Sequence, residues 1–271
     1  MYLMHHLWRI APMLLCAVLF HNCQSRSHSV QEEILPEAPP ALEVPNPIRP
    51  IPTLAFGAKA WRDYFDVDVG REPTLPVDID AILNAECPFL LDGEERKQSV
   101  RDNHLLVLIP ATVDEKQFTL DGLGKLIAEK YPYNEQGYRY YAPAVRKMFG
   151  NVPLPGESYW LLMTRGVLLG SRDRSYTHQK TMVSRYRNHG YRLPYALGVA
   201  ACILTHYARS GTHSEWLLGD TPLTYTSCAT TQLVRNGHPL SVGAFGAEGF
   251  DVSYRFFGRC DLDGVSCCRK L

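Results

Sequence analysis

The chain of 271 residues balances 28 Lys and Arg against 28 Asp and Glu, so it carries no net field that would draw nucleic acid or anionic lipid to the whole molecule. Hydrophobic residues make up 45% of it, ample for a core, and residues 61–271 contain no repeat or low-complexity tract, which suits one domain or two closely packed halves. These numbers argue against a nucleic-acid partner.

Arg9 precedes an apolar run from Ile10 to Phe20, too short to span about 30 Å of hydrocarbon as a helix, and Cys23 follows closely. A short basic start with an apolar centre is an export signature, so residues 1–22 read as a signal peptide. Cys23, then Gln24, Ser25, Arg26 and Ser27, resembles the lipidated first residue of a bacterial lipoprotein. That resemblance implies a membrane partner through the anchor and a place in the bacterial cell envelope, facing outside the cytoplasm, at the outer membrane or cell surface. Ordinary signal cleavage near Cys23 without lipid is the alternative. From Pro36 to Pro52 there are seven prolines in seventeen positions, each fixing φ and removing a donor. Residues 23–60 therefore read as an anchor and an extended tether, its proline-rich part reaching about 50 Å.

With Cys16 lost in the signal and Cys23 used as anchor, six cysteines remain: Cys87, Cys202, Cys228, Cys260, Cys267 and Cys268. In an exported protein they are candidate disulfide partners, and sequence cannot sort the fifteen complete pairings. If Cys267 and Cys268 lie on a strand, their side chains point to opposite faces and seek different partners. No CxxC spacing suggests structural zinc.

Residues 61–156 read as a mixed α+β region. Asp78 is placed to cap a short helix to about Asn84, and Pro88 prevents its extension. Leu105 to Ile109 is an uninterrupted apolar run ended by Pro110, the pattern of a strand buried on both faces. Thr119 or Asp121 can cap a helix through Lys130. Tyr131, Tyr133, Tyr138, Tyr140 and Tyr141 form a dense aromatic patch in a loop, of a kind more often used for packing than as a sugar or base platform.

Residues 157–271 show a sharper pattern. Trp160 to Met163 reads as a strand, and Ser175 can cap a helix from Tyr176 to about Asn188 that Gly190 stops. Pro194 falls in the first turn of a second helix, with Leu197, Ala200, Ala201, Leu204 and Ala208 on one face and Val199, Cys202, Ile203 and Tyr207 on the other, so that it is buried on most sides and stopped by Gly211. Leu240 to Phe245, Phe250 to Tyr254 and Val265 to Arg269 read as short antiparallel strands joined by turns. The order strand, helix, Gly190 to Pro194, helix, short strands and Gly264 to Arg269 resembles a C-type-lectin-like fold. The branch it resembles contains formylglycine-generating enzymes and the Fibrobacter-type paralogous surface domains. The segment Leu106 to Val113 is also similar to one in a family of exported bacterial proteins, a likeness that implies no activity.

No residue constellation demands one reaction, and no catalytic residue, metal ligand or cofactor is assigned. His213-Ser214-Glu215 lacks the spacing of two ligands on one helical face. Gly243, Gly246 and Gly249 suit turns and bulges better than a phosphate cradle. The reading is an α+β, surface-displayed, lipid-anchored, non-catalytic protein whose partner is a protein or glycan ligand. Two alternatives stay open. One is a structural envelope protein; the other is an exported oxidase of the formylglycine-generating type, which the resemblance implies would hold Cu(I) between Cys228 and Cys260 or Cys267.

Overall fold

The computed structural model describes residues 55–130, 137–154, 156–210, 216–229, 239–254 and 261–271, all within one compact unit spanning 46–271. The signal segment, Cys23, the proline-rich stretch, Tyr131, Tyr133, Gly211, His213 to Glu215 and Cys260 lie outside the described residues. The fold is α+β. In chain order it contains β1 (Ala55–Phe56), α1 (Ala58–Phe65), α2 (Ile79–Asn84), α3 (Val100–Asn103), β2 (His104–Ile109), β3 (Thr112–Val113), β4 (Lys116–Gln117) and α4 (Leu120–Lys130). Then come β5 (Tyr140–Tyr141), α5 (Pro143–Phe149), β6 (Tyr159–Thr164), α6 (Tyr176–Ser184), α7 (Ala196–Ser210), β7 (Tyr225–Ser227), β8 (Leu240–Gly246), β9 (Gly249–Tyr254), β10 (Asp263–Gly264) and β11 (Cys268–Lys270).

The first sheet has the order β1-β2-β6-β11, with β1 parallel to β2 and the other pairings antiparallel. It draws strands from both sides of residue 156, and its first strand comes from within 23–60. Every residue of β2 and β6 is buried, as an unbroken apolar run requires when both faces are covered. In the register of β2 on β6, His104 sits opposite Thr164 and Leu105 opposite Met163, which in turn faces Cys268 of β11. Alternation therefore puts Leu105, Met163 and Cys268 on one face of the sheet and His104 and Thr164 on the other. Helix α7 covers the first of these faces; a side-chain carbon at Gly198 would lie 3.1 Å from Leu161 Cδ2, so the helix approaches there with no side chain in between. Trp61 and Trp160 are buried with their indole N–H groups donating to the Leu108 and Pro73 carbonyls at 2.9 and 2.8 Å, so neither ring pays for burial with an orphan donor.

The second sheet has the order β10-β7-β8-β9-β5. Sequence patterning predicts antiparallel strands here, and β7, β8 and β9 pair that way, but both edges are parallel, β10 on β7 and β5 on β9. Edge pairs of two residues carry too little pattern to declare a direction. The register of β8 on β9 shifts between Gly243 and Gly246, and Gly246 pairs with Gly249 across the hairpin, so these glycines do occupy a bulge and a turn.

Ser175 caps α6 by accepting from His178 N, and Thr119 accepts from Gly122 N at the start of α4. Asp78 sits at the N-cap of α2 but makes no side-chain cap bond. Helix α6 ends at Ser184, earlier than predicted, and a single 3-10 turn, Arg187–His189, carries the chain to Gly190 at φ +82°. Pro194 precedes α7 by two residues instead of lying in its first turn. Tyr140 and Tyr141 are strand residues, and Tyr138 is buried with its hydroxyl donating to Leu120 O at 2.7 Å.

Candidate functional site

The residue rows that cross the second sheet are defined by its register. Asp263, Tyr225, Gly243, Asp251 and Tyr140 form one row, Ser227, Ser241 and Ser253 another. Because side chains alternate, both rows lie on the same face, while Thr226, Val242, Val252 and Tyr141 face the core. One face of this sheet is thus lined by hydroxyls and carboxylates, a composition that apolar-to-polar alternation in β8 and β9 encodes.

At its centre Asp251 accepts from Arg139 Nε at 2.8 Å and Nη2 at 2.9 Å, a bidentate pair, and from the Tyr225 hydroxyl at 2.7 Å. The Arg139 side chain is 27% exposed and that of Asp251 12%, so the pair is partly screened from water and opens at one edge. The hydrogen bond from Arg139 to Asp251 raises the arginine pKa. Burial first, and then the bond to Asp251, hold the Tyr225 phenol protonated. A carboxylate that accepts three bonds has little free lone-pair capacity, so Asp251 orients partners and is poorly placed to shuttle protons.

Two features surround this triad. Tyr140, at the edge of the row, is 47% exposed and presents an aromatic surface beside Asp251. Ser241 is buried, and among the described residues its hydroxyl has no hydrogen-bond partner. Deeper in, Gln179 of α6 fastens the helix to the sheet: it accepts from Ser227 Oγ at 2.6 Å and donates to Ser171 O and Asp263 O at 3.1 and 3.2 Å. Arg172 adds a 2.6 Å ion pair to Asp92 and a bond to Thr224 Oγ1 at 2.9 Å. Asp263 also has a partner beyond these contacts. Sequence reading missed Arg139, Tyr225, Asp251 and Ser241. The available signal was the recurrence of polar residues at every second position of β9, which becomes a site only once the register aligns them.

The sequence-predicted cysteines behave differently. Cys87, Cys202, Cys228, Cys267 and Cys268 are free thiols and all are buried. Burial raises the pKa of each, that of Cys268 to about 12, against which the neighbouring Arg192 works only in part. Such thiols are protonated at neutral pH and poor nucleophiles or metal ligands. Among the described residues no group of three or more His, Cys, Asp or Glu side chains is placed to hold a metal ion, and no helix is long and apolar enough to cross a membrane.

A second buried cluster, on the His104 face of the first sheet, joins Cys87, Phe89, Leu91, Leu168, Val183, Tyr191, Val265 and Cys267. His104 Nδ1 is 3.0 Å from Val100 O, which can only accept, so Nδ1 carries the proton; Nε2 then accepts from the Tyr191 hydroxyl, also at 3.0 Å. Burial is the main cause that lowers the His104 pKa to about 4, with the Arg165 charge acting in the same direction and the bond to Val100 opposing it. His104 is consequently neutral and fully engaged, a structural histidine.

No protein-family model, curated protein or solved structure matches this chain. The class that fold and site define is an α+β domain with one polar, partly open sheet face.

Proposed function

We propose that this protein is a surface-displayed, lipid-anchored, non-catalytic binding protein of the bacterial cell envelope, whose ligand is a glycan taken at the polar face of the second sheet. The observation that carries the reading is the row Tyr225, Gly243, Asp251 and Tyr140, which sets an exposed aromatic ring beside a carboxylate already oriented by Arg139. A sugar offers an apolar ring face with hydroxyls around its rim. An aromatic surface next to fixed acceptors and donors matches that chemistry, since a few placed polar groups give orientation while the ring supplies contact area. The engagement of the carboxylate with Arg139 and Tyr225 suits an orienting role better than proton transfer.

The lectin-like reading of residues 157–271 is part of this proposal, and the strand order is the feature it draws on. Strand β6 is followed by α6 and α7 and then by the short strands, and terminal β11 returns to pair antiparallel with β6. The anchor reading rests on Cys23 and the proline-rich stretch of the sequence alone.

The test is binding of the purified full chain to soluble fragments of bacterial envelope polysaccharides by calorimetry, alongside mass analysis of its N-terminal peptide from envelope fractions. The expected result is saturable glycan binding that Tyr140→Ala weakens about tenfold, as the loss of one aromatic contact of about 1.4 kcal/mol requires. Tyr140 is exposed, so this variant leaves the fold intact. Failure of every glycan to bind at millimolar concentration would overturn the ligand reading, and absence of the chain from the envelope would overturn its address.

A further inference from the structure

A cavity of about 280 Å³ opens where the loop after α2, the turn after β6 and the C-terminal end of α6 meet. Backbone pairing fixes the first two segments: Leu91 and Leu168 form an antiparallel bridge, and Leu169 N donates to Leu90 O at 3.0 Å. Aromatic packing fixes the third, because the Tyr186 ring meets the buried Phe89 ring edge-on, with centroids 4.9 Å apart at 69°. One wall of the cavity is therefore apolar, built from Phe89, Leu169, Met182 and Tyr186, and Leu169 is 48% exposed on it.

The rest of the lining is cationic. Lys97 and Arg185 complete it, and no carboxylate is among the residues that form it. Arg185 is exposed and makes no ion pair with any described carboxylate. Lys97 Nζ lies 3.4 Å from Glu86 Oε1, but the two side chains are 43% and 70% exposed, a screened pair that contributes little and can open. The imbalance continues along the chain. Between Asp173 and Glu215 there is no Asp or Glu, while Lys180, Arg185, Arg187 and Arg192 follow one another closely. Arg269 of β11 joins them from the neighbouring strand, its Cδ 3.2 Å from the place a Cβ at Gly190 would take. A chain with no net charge thus concentrates positive charge beside one apolar pocket.

The geometry points to a binding site for a small amphiphilic anion, an apolar body bearing one carboxylate or phosphate, with the body against Phe89, Met182 and Tyr186 and the anion at Arg185. This site goes beyond the glycan reading and uses none of its residues. Ligand cavities begin at about 300 Å³, so the occupant is a single ring or a short chain. The guanidinium fork of Arg185 matches two oxygens of a carboxylate or phosphate, and Lys97 adds a point charge. A neutral ring would leave both cations unused, and a bare anion would leave the apolar wall wet, so the pocket selects for the two features together.

The full chain, carrying methyl-labelled methionine, is titrated with phenyl phosphate and with benzoate, and with inorganic phosphate and benzyl alcohol as probes of charge alone and ring alone. The expected result is a saturable shift of the Met182 methyl signal, with a dissociation constant for either aromatic anion about tenfold or more below those of inorganic phosphate and benzyl alcohol. Arg185→Gln is expected to weaken the aromatic anions about tenfold, as loss of a charge-assisted bond requires. Lys270→Gln removes an equal charge from the strand position beside Tyr159 and is expected to leave binding unchanged. Both side chains are exposed, so both variants keep the fold. Inorganic phosphate or benzyl alcohol binding as tightly as the aromatic anions, an equal effect of the two variants, or a Met182 signal that does not move at millimolar ligand overturns the site.

Discussion

Tyr225 and Asp251 lie on strands separated by β8, yet the Tyr225 hydroxyl donates to Asp251 Oδ2 at 2.7 Å. Gly243 stands between them in the row and has no side chain, so the phenol ring passes over the intervening strand. The backbone there adopts φ +154°, and an added Cβ would fall 2.2 Å from Thr224 O.

Gly243→Ala is therefore expected to destabilise the fold by about 2 kcal/mol or more, from overpacking and from a backbone conformation that L residues resist. Tyr225→Phe costs less, about 1 kcal/mol, because Asp251 keeps both bonds from Arg139. Urea denaturation of both variants checks the order; a milder effect at Gly243 would refute the close approach of the Thr224 backbone to it.

Asp251→Asn removes the charge that Arg139 and Tyr225 share. It leaves a partly buried guanidinium facing a neutral amide, and the expected loss is about 2 kcal/mol. Raised salt concentration should change this difference little, since the pair is mostly shielded from solvent. Denaturation midpoints of wild type and variant at low and high salt supply the measurement.

Gln179→Leu is expected to cost about 2 to 4 kcal/mol, since it leaves Ser227 Oγ and two carbonyls without their partner in a buried setting. Gln179 is buried in a helix otherwise mostly exposed, so the effect should appear as weaker docking of α6 on the second sheet. Hydrogen exchange of α6 amides, compared with those of α7, reads it directly.

His104 makes stability depend on pH in a defined direction. Its folded pKa, about 4, lies below the unfolded value of 6.5, so the unfolded chain binds more protons between those values. Stability is thus lost as pH falls through this window, by about 2 kcal/mol between pH 7 and pH 5. Urea titrations at the two pH values test the loss, and His104→Gln should flatten it.

The thiols of Cys87, Cys202, Cys228, Cys267 and Cys268 are expected to resist alkylation in the reduced, native protein at neutral pH and to react together on unfolding. A fast-reacting Cys228 under native conditions would restore the copper oxidase alternative.

Much of the framework was legible because it follows from local pattern. The apolar run ending at Pro110 and the strand at Trp160 are buried segments whose neighbours along the chain declare them, and the caps at Thr119 and Ser175 are local bonds between a side chain and the next turn. The opposite directions of Cys267 and Cys268 follow from a period of two. The end of α6 was misplaced because Arg185 to Gly190 are all compatible with another helical turn, and only the approach of Arg269 to Gly190 marks where the chain must turn.

The sequence by itself determined the α+β class, most element types, the neutral charge balance and the two-sided disposition of the last cysteines, since each depends on residue type and spacing over a few positions. Tertiary structure decided the rest. Arg139 meets Asp251 from 112 residues away, and Tyr191 meets His104 from 87, contacts set by strand register and layer packing. Register is a cooperative property of several strands at once, and a polar residue at any single position looks the same in a solvated loop as in a site. Only pairing aligned Tyr225, Gly243, Asp251 and Tyr140 into a row, and only the burial of the His104 layer placed Cys87 on the same side as Cys267.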